Sequence, residues 1–349
     1  MKKVVLFFVI FLICIPNVLA SSIVMDMDNK RVLYSNSINE KSLIASTTKI
    51  MTALLAIESN KLEEIVKIGD EVLTMYGSNI YIEKGEEILL LDLVYGLILR
   101  SGNDASVSIA KHVSGSVSKF VLDMNKKAKE IGMNNTIFNN PHGLDEETKN
   151  YSSAYDLCLL YSYAYKYPIF RSIVGTKYYN TSSSLKTYSW KNRNNLLFNY
   201  DKATGGKTGY TPVAGRILVS SASNENINLC VATIDRNSYL YDFHEQKYEY
   251  VFSNYKKYKI LDKDNFYIDN ASDTYLDHDF YYTLTEDEYN NLDIKVDLND
   301  KHDNVLGKVI VTLDDEVIDT NTIYIKLEEE TGIFNKIAYF FKSILKKIT

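Results

Sequence analysis

The sequence has 349 residues, with 39 lysines and arginines against 45 aspartates and glutamates, and a formal charge of −6. This acidic balance excludes the basic surface that a nucleic-acid-binding protein needs. With 46% hydrophobic and 24% charged residues, the chain can bury a core in more than one domain, so the composition also excludes a disordered protein.

Cysteine and histidine are too scattered to predict a metal site or a disulfide framework. Cys14 lies in the N-terminal leader, and Cys158 and Cys230 lie far apart in apolar segments. The five histidines show neither His-Glu-x-x-His spacing nor a Cys/His cluster. We therefore expect buried thiols, no metal and no cofactor.

The first twenty residues have the order of a secretory signal. Lys2 and Lys3 precede an apolar run over residues 4–15, and Val18-Leu19-Ala20 supplies a cleavage site. The apolar run is shorter than the roughly 20 residues of a membrane-spanning helix, which favours cleavage over a transmembrane anchor. We predict an exported protein that loses residues 1–20 and carries a formal charge of −8.

The predicted elements begin with a hairpin over residues 22–35, which turns near Asp26–Asn29. Apolar positions at helical spacing predict a helix over residues 47–58, with Ser46 before it as its cap. A second apolar segment, residues 88–99, stops at Ser101-Gly102-Asn103, and a helical pattern resumes until Gly115. Ser-Gly-Asn is therefore predicted to be a turn between two helices.

The middle of the chain is predicted to be helix-rich and to lead into a hairpin. Three helices are predicted here. The first covers residues 117–131, the second runs from a capping box at Ser153-x-x-Asp156 to Tyr165, and the third lies around residues 241–255. Two strand-like runs, residues 215–223 and 227–234, flank the turn Asn224-Glu225-Asn226. Strands at both ends with helices between them indicate an α+β layer in which the terminal strands share one sheet.

After about Lys259 the pattern changes to short alternating segments separated by Asp/Asn turns. Segments such as residues 308–313 and 322–326 predict a small all-β domain over 260–330. Residues 331–349 place isoleucine, phenylalanine and leucine on one helical face and lysines among the polar positions. This helix is too charged to span a membrane and suits an anionic membrane surface, although packing on the protein body is an alternative.

One Ser-x-x-Lys tetrad stands out among six, which start at Ser46, Ser108, Ser116, Ser183, Ser253 and Ser343. Only the first combines a helix start with a following apolar face. Side chains at i and i+3 of a helix lie about 5–6 Å apart at Cβ, so Lys49 can reach the Ser46 hydroxyl.

A serine hydroxyl needs a base, and lysine serves as one only when burial or a like charge lowers its pKa. Lys207-Thr208-Gly209 supplies a second ammonium just before a strand-like run, where an edge strand would line a cleft. The preceding glycines would let a substrate backbone approach closely. Ser101 offers a hydroxyl to relay protons and Asn103 an amide, although the same residues also suit a simple polar turn.

Ser-x-x-Lys, Ser-x-Asn and Lys-Thr-Gly in this order are the signature of penicillin-binding proteins and class A β-lactamases. The sequences of 45–58, 101–103 and 205–212 closely resemble the low-molecular-mass D-alanyl-D-alanine carboxypeptidases. Asn140-Pro-His-Gly-Leu144 and residues 192–197 support the resemblance, which covers nearly the whole mature chain. It implies a transpeptidase-like α+β catalytic domain over 21–259, with an antiparallel sheet and a helical cluster, followed by the β-rich domain and the amphipathic helix.

The resemblance also implies roles for individual residues. Ser46 would be the nucleophile, Lys49 its base, Ser101 and Asn103 the proton relay and substrate orienter, and Lys207 an electrostatic partner. The backbone N–H groups of Ser46 and Tyr210 would form the oxyanion hole.

Recognition of the substrate carboxylate is implied for the strand that carries Lys207, through Thr208, Gly209, Tyr210 and Thr211. Some relatives have an arginine about 35 residues after this lysine, but the same count reaches Asp242 here. Arg193 or Arg236 would then take its place.

The implied function is removal of the terminal D-alanine from peptidoglycan stem peptides through an acyl-enzyme that β-lactam antibiotics trap, at the outer face of the cytoplasmic membrane. A β-lactamase is disfavoured because no Glu-x-x-Leu-Asn tract lies between the second and third motifs. A Ser-His-Asp hydrolase is disfavoured because Gly-x-Ser-x-Gly is absent and His142 lies in a loop-like segment. A catalytically silent wall-binding protein is disfavoured because Ser46, Lys49 and Lys207 are all present.

Overall fold

A computed structural model of the chain describes residues 21–235, 240–268, 274–298 and 304–325. The predicted signal peptide and the predicted amphipathic helix at 331–349 lie outside these residues. The chain divides into two units, the first ending at Ser253 and the second beginning at Asn254, shortly before Lys259. Within the described ranges, the helices are too short or too polar to cross a membrane.

The strands of the first unit are β1 Ser21–Asp26, β2 Val32–Asn36, β3 Ser42–Leu43, β4 Ile65–Lys67, β5 Glu87–Leu89, β6 Tyr151–Ser152, β7 Tyr178–Ser182, β8 Thr187–Lys191, β9 Ala203–Thr211, β10 Gly215–Asn224 and β11 Ile227–Asp235. Its helices are α1 Lys49–Glu58, α2 Leu90–Leu99, α3 Asn103–Ser114, α4 Val117–Ile131, α5 Ala154–Tyr165, α6 Pro168–Gly175, α7 Leu196–Asn199 and α8 Leu240–Asn254.

A five-stranded antiparallel sheet joins the two ends of the first unit. Its order is β2-β1-β11-β10-β9, and Ser21 of β1 lies opposite Ile234 of β11. The prediction that the terminal strands share one sheet is therefore confirmed. Strand β9 forms one edge of this sheet, with only β10 as a sheet neighbour in the described chain.

Two neighbouring serines of β10 show that helices cover both faces of the sheet. Ser221 Oγ lies 3.0 Å from the hydroxyl of Tyr161 on α5, and Ser220 Oγ lies 2.8 Å from the hydroxyl of Tyr248 on α8. Because successive side chains of a strand point to opposite faces, α5 and α8 lie on opposite sides of the sheet. Double coverage explains why β1 and β11 are buried along most of their length.

The helical cluster forms where the sequence predicted it, because its ends carry local signals. Ser116 and Ser153 accept the backbone N–H of Lys119 and Asp156, as helix-capping serines do, and each such cap contributes about 1 kcal/mol. Gly115 and Gly132 end α3 and α4 in the left-handed conformation, with φ of 82° and 90°.

Two local predictions were wrong in detail. Ser46 does not cap a helix: it lies inside a 3-10 turn, Ala45–Thr48, and α1 begins only at Lys49. Lys207-Thr208-Gly209 precedes the predicted strand, which is β10, but the motif itself lies in a further strand, β9, and β9 rather than β10 is the edge strand. The β7–β8 hairpin was not predicted at all, because only Tyr188 and Trp190 of its two strands are buried and the apolar pattern is correspondingly weak.

The second unit is β-rich, and within its described residues it also contains one short helix. Its strands are β12 Lys256–Leu261, β13 Thr274–Leu276, β14 Phe280–Leu284, β15 Asp293–Asp297, β16 Val305–Leu313 and β17 Glu316–Ile325, with α9 Glu286–Asn290. Strands β13-β17-β16-β15 form one antiparallel sheet and β12-β14 another. Asp314 and Asp315, both at positive φ, make the predicted turn between β16 and β17.

Candidate active site

The Ser-x-x-Lys pair lies where the 3-10 turn passes into α1. Lys49 Nζ lies 2.9 Å from Ser46 Oγ, and the lysine side chain is completely buried. The 3-10 turn leads directly into α1 and keeps the two side chains one helical turn apart. The sequence therefore predicted this contact from spacing alone.

Two further oxygens surround the amine of Lys49. Asn103 Oδ1 lies 2.7 Å and the backbone oxygen of His142 2.6 Å from Nζ. The orientation of the Asn103 amide follows from its other end, because Nδ2 donates to the backbone oxygen of Tyr76 at 2.7 Å. The oxygen of that amide must therefore face Lys49.

The surroundings of Lys49 favour its neutral form. Burial and then the charge of Lys207 lower the pKa of Lys49 well below the ordinary value, while Asp104 opposes this and Arg193 adds to it. A neutral amine has two N–H donors and one lone pair. In that form the two groups that can only accept, Asn103 Oδ1 and the His142 carbonyl, would take both donors and leave the lone pair for the Ser46 hydroxyl.

Lys207 reaches the same turn from the edge of the sheet. Its Nζ lies 3.1 Å from Ser101 Oγ and 2.6 Å from the backbone oxygen of Thr208. Burial, followed by the positive charge of Arg193, lowers the pKa of Lys207 to about 7. Ser101 has φ of 65°, a conformation uncommon outside glycine, so the turn is held in a strained geometry.

The three motifs therefore converge on the α2–α3 turn. Ser101 contacts Lys207, and Asn103, two residues later, contacts Lys49, which in turn contacts Ser46. The arrangement brings the Ser46 hydroxyl and the amines of Lys49 and Lys207 to one turn.

Strand β9 passes directly beside Ser46. A Cβ added to Gly209 would lie 3.3 Å from the backbone nitrogen of Ser46, so the absent side chain lets the strand edge approach the 3-10 turn. The next residue, Tyr210, has 60% of its surface exposed.

The sequence assigned no role to the loop Asn140–Leu144, although the His142 backbone oxygen of this loop contacts Lys49. Gly143 has φ of 89°, and a Cβ there would collide with the backbone oxygen of Ala45. The Asn140 side chain accepts the backbone N–H of Gly143 at 2.6 Å, which closes the loop. The only signal in the sequence was a glycine in an Asn-Pro-His-Gly turn.

The imidazole of His142 is not the base of a serine triad. Burial and the neighbouring Lys49 lower its pKa to about 3, so the ring stays neutral. Its Nδ1 accepts the backbone N–H of Leu144 at 3.1 Å, and only its backbone oxygen contacts Lys49. This geometry disfavours the Ser-His-Asp alternative.

A cavity of about 460 Å³ opens beside Thr208, Gly209 and Tyr210, and Arg100, Arg193 and Arg216 line it. The Arg216 guanidinium lies 5.5 Å from the ring centre of Tyr210, its cross-strand partner. Arg193 donates to Ser78 Oγ at 2.7 Å.

The ion pairs among the described residues involve none of these arginines. The described lining of the cavity is therefore cationic. The sequence did not single out Arg100 or Arg216, and no motif could have done so, because only the fold brings them to Thr208.

Two residues proposed for substrate recognition take different positions. The hydroxyl of Thr211 donates to Asp145 Oδ2 at 2.5 Å and accepts the backbone N–H of Ala214, so a substrate could reach it only by displacing Asp145. Arg236 lies outside the described residues.

Known proteins resemble the chain over both its catalytic motifs and its fold. The family model for D-alanyl-D-alanine carboxypeptidases, peptidase family S11, matches residues 16–238. The D-alanyl-D-alanine carboxypeptidase DacF of Bacillus subtilis is 40% identical over 213 residues, 59% of this chain and 54% of that protein. DacA of Haemophilus influenzae is 29% identical over 360 residues, 92% of this chain and 88% of that protein.

The chain thus spans about half the length of the Bacillus relative and most of the Haemophilus one. Penicillin binding protein 5 from Haemophilus influenzae superposes with a TM-score of 0.74 at 28% identity, covering 87% of this chain and 95% of that one. These matches confirm the predicted α+β class and the resemblance drawn from the motifs. The chain belongs to the D-alanyl-D-alanine carboxypeptidase family of peptidases.

Proposed function

We propose that this protein removes the terminal D-alanine from peptidoglycan stem peptides through an acyl-enzyme on Ser46. The observation that carries the proposal is the hydrogen-bond arrangement at Lys49. Two acceptor oxygens lie within hydrogen-bond distance of its amine, so a neutral Lys49 would direct its lone pair at the Ser46 hydroxyl, 2.9 Å away. This is the geometry that a lysine general base requires.

In the acylation step, Ser46 Oγ attacks the carbonyl carbon of the penultimate D-alanine while its proton moves to Lys49 Nζ. Negative charge develops on the carbonyl oxygen, beside the backbone N–H groups of Ser46 and Tyr210. The tetrahedral intermediate then collapses, the C–N bond breaks, and the departing amine of D-alanine takes the proton from Lys49 Nζ. In a second step, water attacks the ester carbonyl and gives a proton to Lys49; the ester C–O bond breaks, Ser46 Oγ regains a proton from Lys49, and the shortened peptide leaves.

Positive charges near Lys49 make it a weak base that readily returns its proton. The charge of Arg193, and that of Lys207 in the fraction of molecules in which Lys207 is protonated, disfavour protonation of Lys49. Once Lys49 accepts the Ser46 proton, this repulsion acts in a buried site, where it is weakly screened. The protonated base is therefore primed to protonate the leaving amine, as an acid–base catalyst with a lowered pKa should be.

The cationic cavity fits the terminal carboxylate of the substrate. A substrate lying along the edge of β9 would extend past Thr208 and Gly209 toward Arg216 and Arg193. A planar guanidinium can bind a carboxylate through two parallel hydrogen bonds. We propose that Arg216 takes the position that the predicted distal arginine fills in some relatives.

A penicillin-labelling experiment with a matched control tests the nucleophile. Ser46→Ala should lose all covalent labelling by a fluorescent penicillin, because among the described residues Ser46 supplies the hydroxyl that contacts Lys49 Nζ. Ser116→Ala alters an identical Ser-x-x-Lys tetrad at a helix start and should keep native labelling, at a stability loss of about 1 kcal/mol. Intact-mass spectrometry and peptide mapping locate the adduct; an adduct on Ser46→Ala would overturn the assignment.

The alternative of a β-lactamase differs in the fate of the acyl-enzyme. Fast hydrolysis requires a carboxylate that activates water, yet the described hydrogen-bond partners of the Ser46 and Lys49 side chains are a hydroxyl, an amine, an amide and a backbone carbonyl. We therefore propose that the penicillin adduct persists for many turnovers of the peptide reaction. Rapid loss of the adduct, measured by mass after excess penicillin is removed, would favour the lactamase.

We also propose that the protein works outside the cytoplasmic membrane, on which residues 331–349 hold it. The support is the order of the N-terminal signal and the basic amphipathic pattern of the C-terminal segment. Deleting residues 332–349 should move the enzyme from the membrane pellet to the supernatant. Unchanged sedimentation would discard this anchor.

A further inference from the structure

Asp104, the residue after the Ser-Gly-Asn motif, is a buried carboxylate to which the acylation mechanism assigns no part. It is 3% exposed and lies in the first turn of α3. Burial raises its pKa, and four backbone N–H groups oppose that rise. A carboxylate accepts all four bonds without conflict only when it is ionised, because a protonated oxygen would place a hydrogen against a donor.

The four donors come from two places. Oδ1 accepts the N–H of Ile80 at 3.0 Å and of Ala105 at 2.9 Å, and Oδ2 accepts the N–H of Tyr81 at 2.7 Å and of Ile82 at 3.2 Å. Three consecutive residues of one irregular segment are thus bound to a single side chain. Tyr81 has φ of 64°, a conformation that needs such external support.

The other end of this segment holds Asn103. The backbone oxygen of Tyr76 accepts from Asn103 Nδ2, and the backbone oxygen of Ser78 accepts the Asn103 N–H, each at 2.7 Å. We call residues 76–82 the Tyr76–Ile82 segment. One part of it is bound by Asp104, and another part orients the amide whose oxygen faces Lys49.

We propose that Asp104 is a positioning residue for the general base, holding the Tyr76–Ile82 segment in the conformation that orients Asn103 toward Lys49. The inference rests on the proposed function, since it assigns Asp104 to the acylation step on Ser46. Asp104 acts through hydrogen bonds to the backbone and does not touch the reacting atoms. The connection runs from Asp104 through this segment to Asn103, and from Asn103 to Lys49.

Asp104 also acts on Lys49 through its charge. Lys207 and Arg193 lower the pKa of Lys49, Asp104 raises it, and His142 beside it is neutral. Removing the negative charge of Asp104 therefore lowers the pKa of Lys49 further. Because acylation needs neutral Lys49, the acylation rate falls at pH values below the pKa of Lys49. We call this fall the acid limb of the pH profile. Loss of the Asp104 charge would move the acid limb to lower pH.

The experiment measures the second-order rate of penicillin acylation against pH for Asp104→Asn. An amide at this position would point two hydrogens at backbone N–H groups, so the segment should shift. We expect the rate to fall about 10- to 100-fold, since a misplacement of roughly 1 Å can reduce a rate about 100-fold. The acid limb should move to lower pH, which a merely structural loss would not cause.

Asp92→Asn is the matched control. Asp92 is also a buried helical carboxylate, 6% exposed, but it accepts the hydroxyls of Tyr179 and Thr181 on β7. This variant should lose thermal stability and keep both the native acylation rate and the native acid limb. An equal loss of rate in both variants, or a native rate and pH profile in Asp104→Asn, would overturn the inference.

A second variant decides the matter if Asp104→Asn does not fold. Asn79 accepts the backbone N–H of Asp104 through Oδ1 at 3.2 Å and donates to the Met75 carbonyl. Asn79→Ala therefore loosens the Tyr76–Ile82 segment while the charge of Asp104 stays. Its acylation rate should fall by several-fold with an unchanged acid limb; a native rate would contradict the inference. Absence of labelling in the native protein would instead refute the proposed function.

Discussion

Replacing Lys207 with methionine should stabilise the protein while abolishing its activity. Burial lowers the pKa of Lys207 from 10.5 to about 7. Each unit of pKa corresponds to about 1.4 kcal/mol, so keeping this side chain charged in the folded protein costs about 5 kcal/mol. Methionine has a similar length and carries no charge. The substitution also removes the hydrogen bonds of Lys207 to Ser101 and Thr208, which contribute about 1 kcal/mol each, and this loss offsets part of the stabilisation.

The pH dependence of stability isolates this effect. Between pH 7 and 10.5, the unfolded chain keeps the Lys207 proton and the folded chain does not, so the free energy of unfolding rises with pH. The destabilisation caused by buried Lys207 is therefore greatest below about pH 7, and it disappears as the pH rises to 10.5. Lys207 should thus add about 1.4 kcal/mol per pH unit near pH 8, and Lys207→Met should remove that slope.

Urea denaturation followed by circular dichroism between pH 7 and 9 measures how the free energy of unfolding changes with pH in the native protein and in Lys207→Met. Lys119→Met, which alters an exposed lysine, should keep the native slope. Penicillin acylation of Lys207→Met should be lost, so that stability and activity change in opposite directions, as expected for a strained functional site. Parallel stability curves for the native protein and Lys207→Met would refute the reasoning that burial deprotonates this lysine.

Two further substitutions test the loop and the cavity. Gly143→Ala should lower the melting temperature markedly and abolish acylation, because the new Cβ collides with the backbone of Ala45. Gly132→Ala, at nearly the same φ but in open space, should keep acylation. Melting curves and penicillin labelling measure both effects. Arg216→Gln should lower kcat/KM about 10-fold for a peptide with a free terminal carboxylate but not for the same peptide with a C-terminal amide, because only the carboxylate pairs with a guanidinium. Equal losses on both peptides would show that Arg216 does not bind the carboxylate.

Local patterns in the sequence were sufficient for much of the fold. The start of α5 at Ser153 and the ends of α3 and α4 at Gly115 and Gly132 lie where the sequence predicted them, because capping serines and left-handed glycines act over a few residues. The contact between Ser46 and Lys49 was predictable for the same reason, since three residues of helical backbone determine it. The family likewise followed from three short motifs in order.

The tertiary structure decided everything that depends on residues distant in the chain. Spacing could not show that a carbonyl at His142 and an amide at Asn103 would take both N–H groups of Lys49, or that Arg216 would line the cavity beside Thr208. Nor could it show that Asp104 binds three consecutive N–H groups, because backbone donors leave no mark in a sequence. The chemistry of this site depends on burial and on oriented backbone groups, and both arise only when the chain has folded.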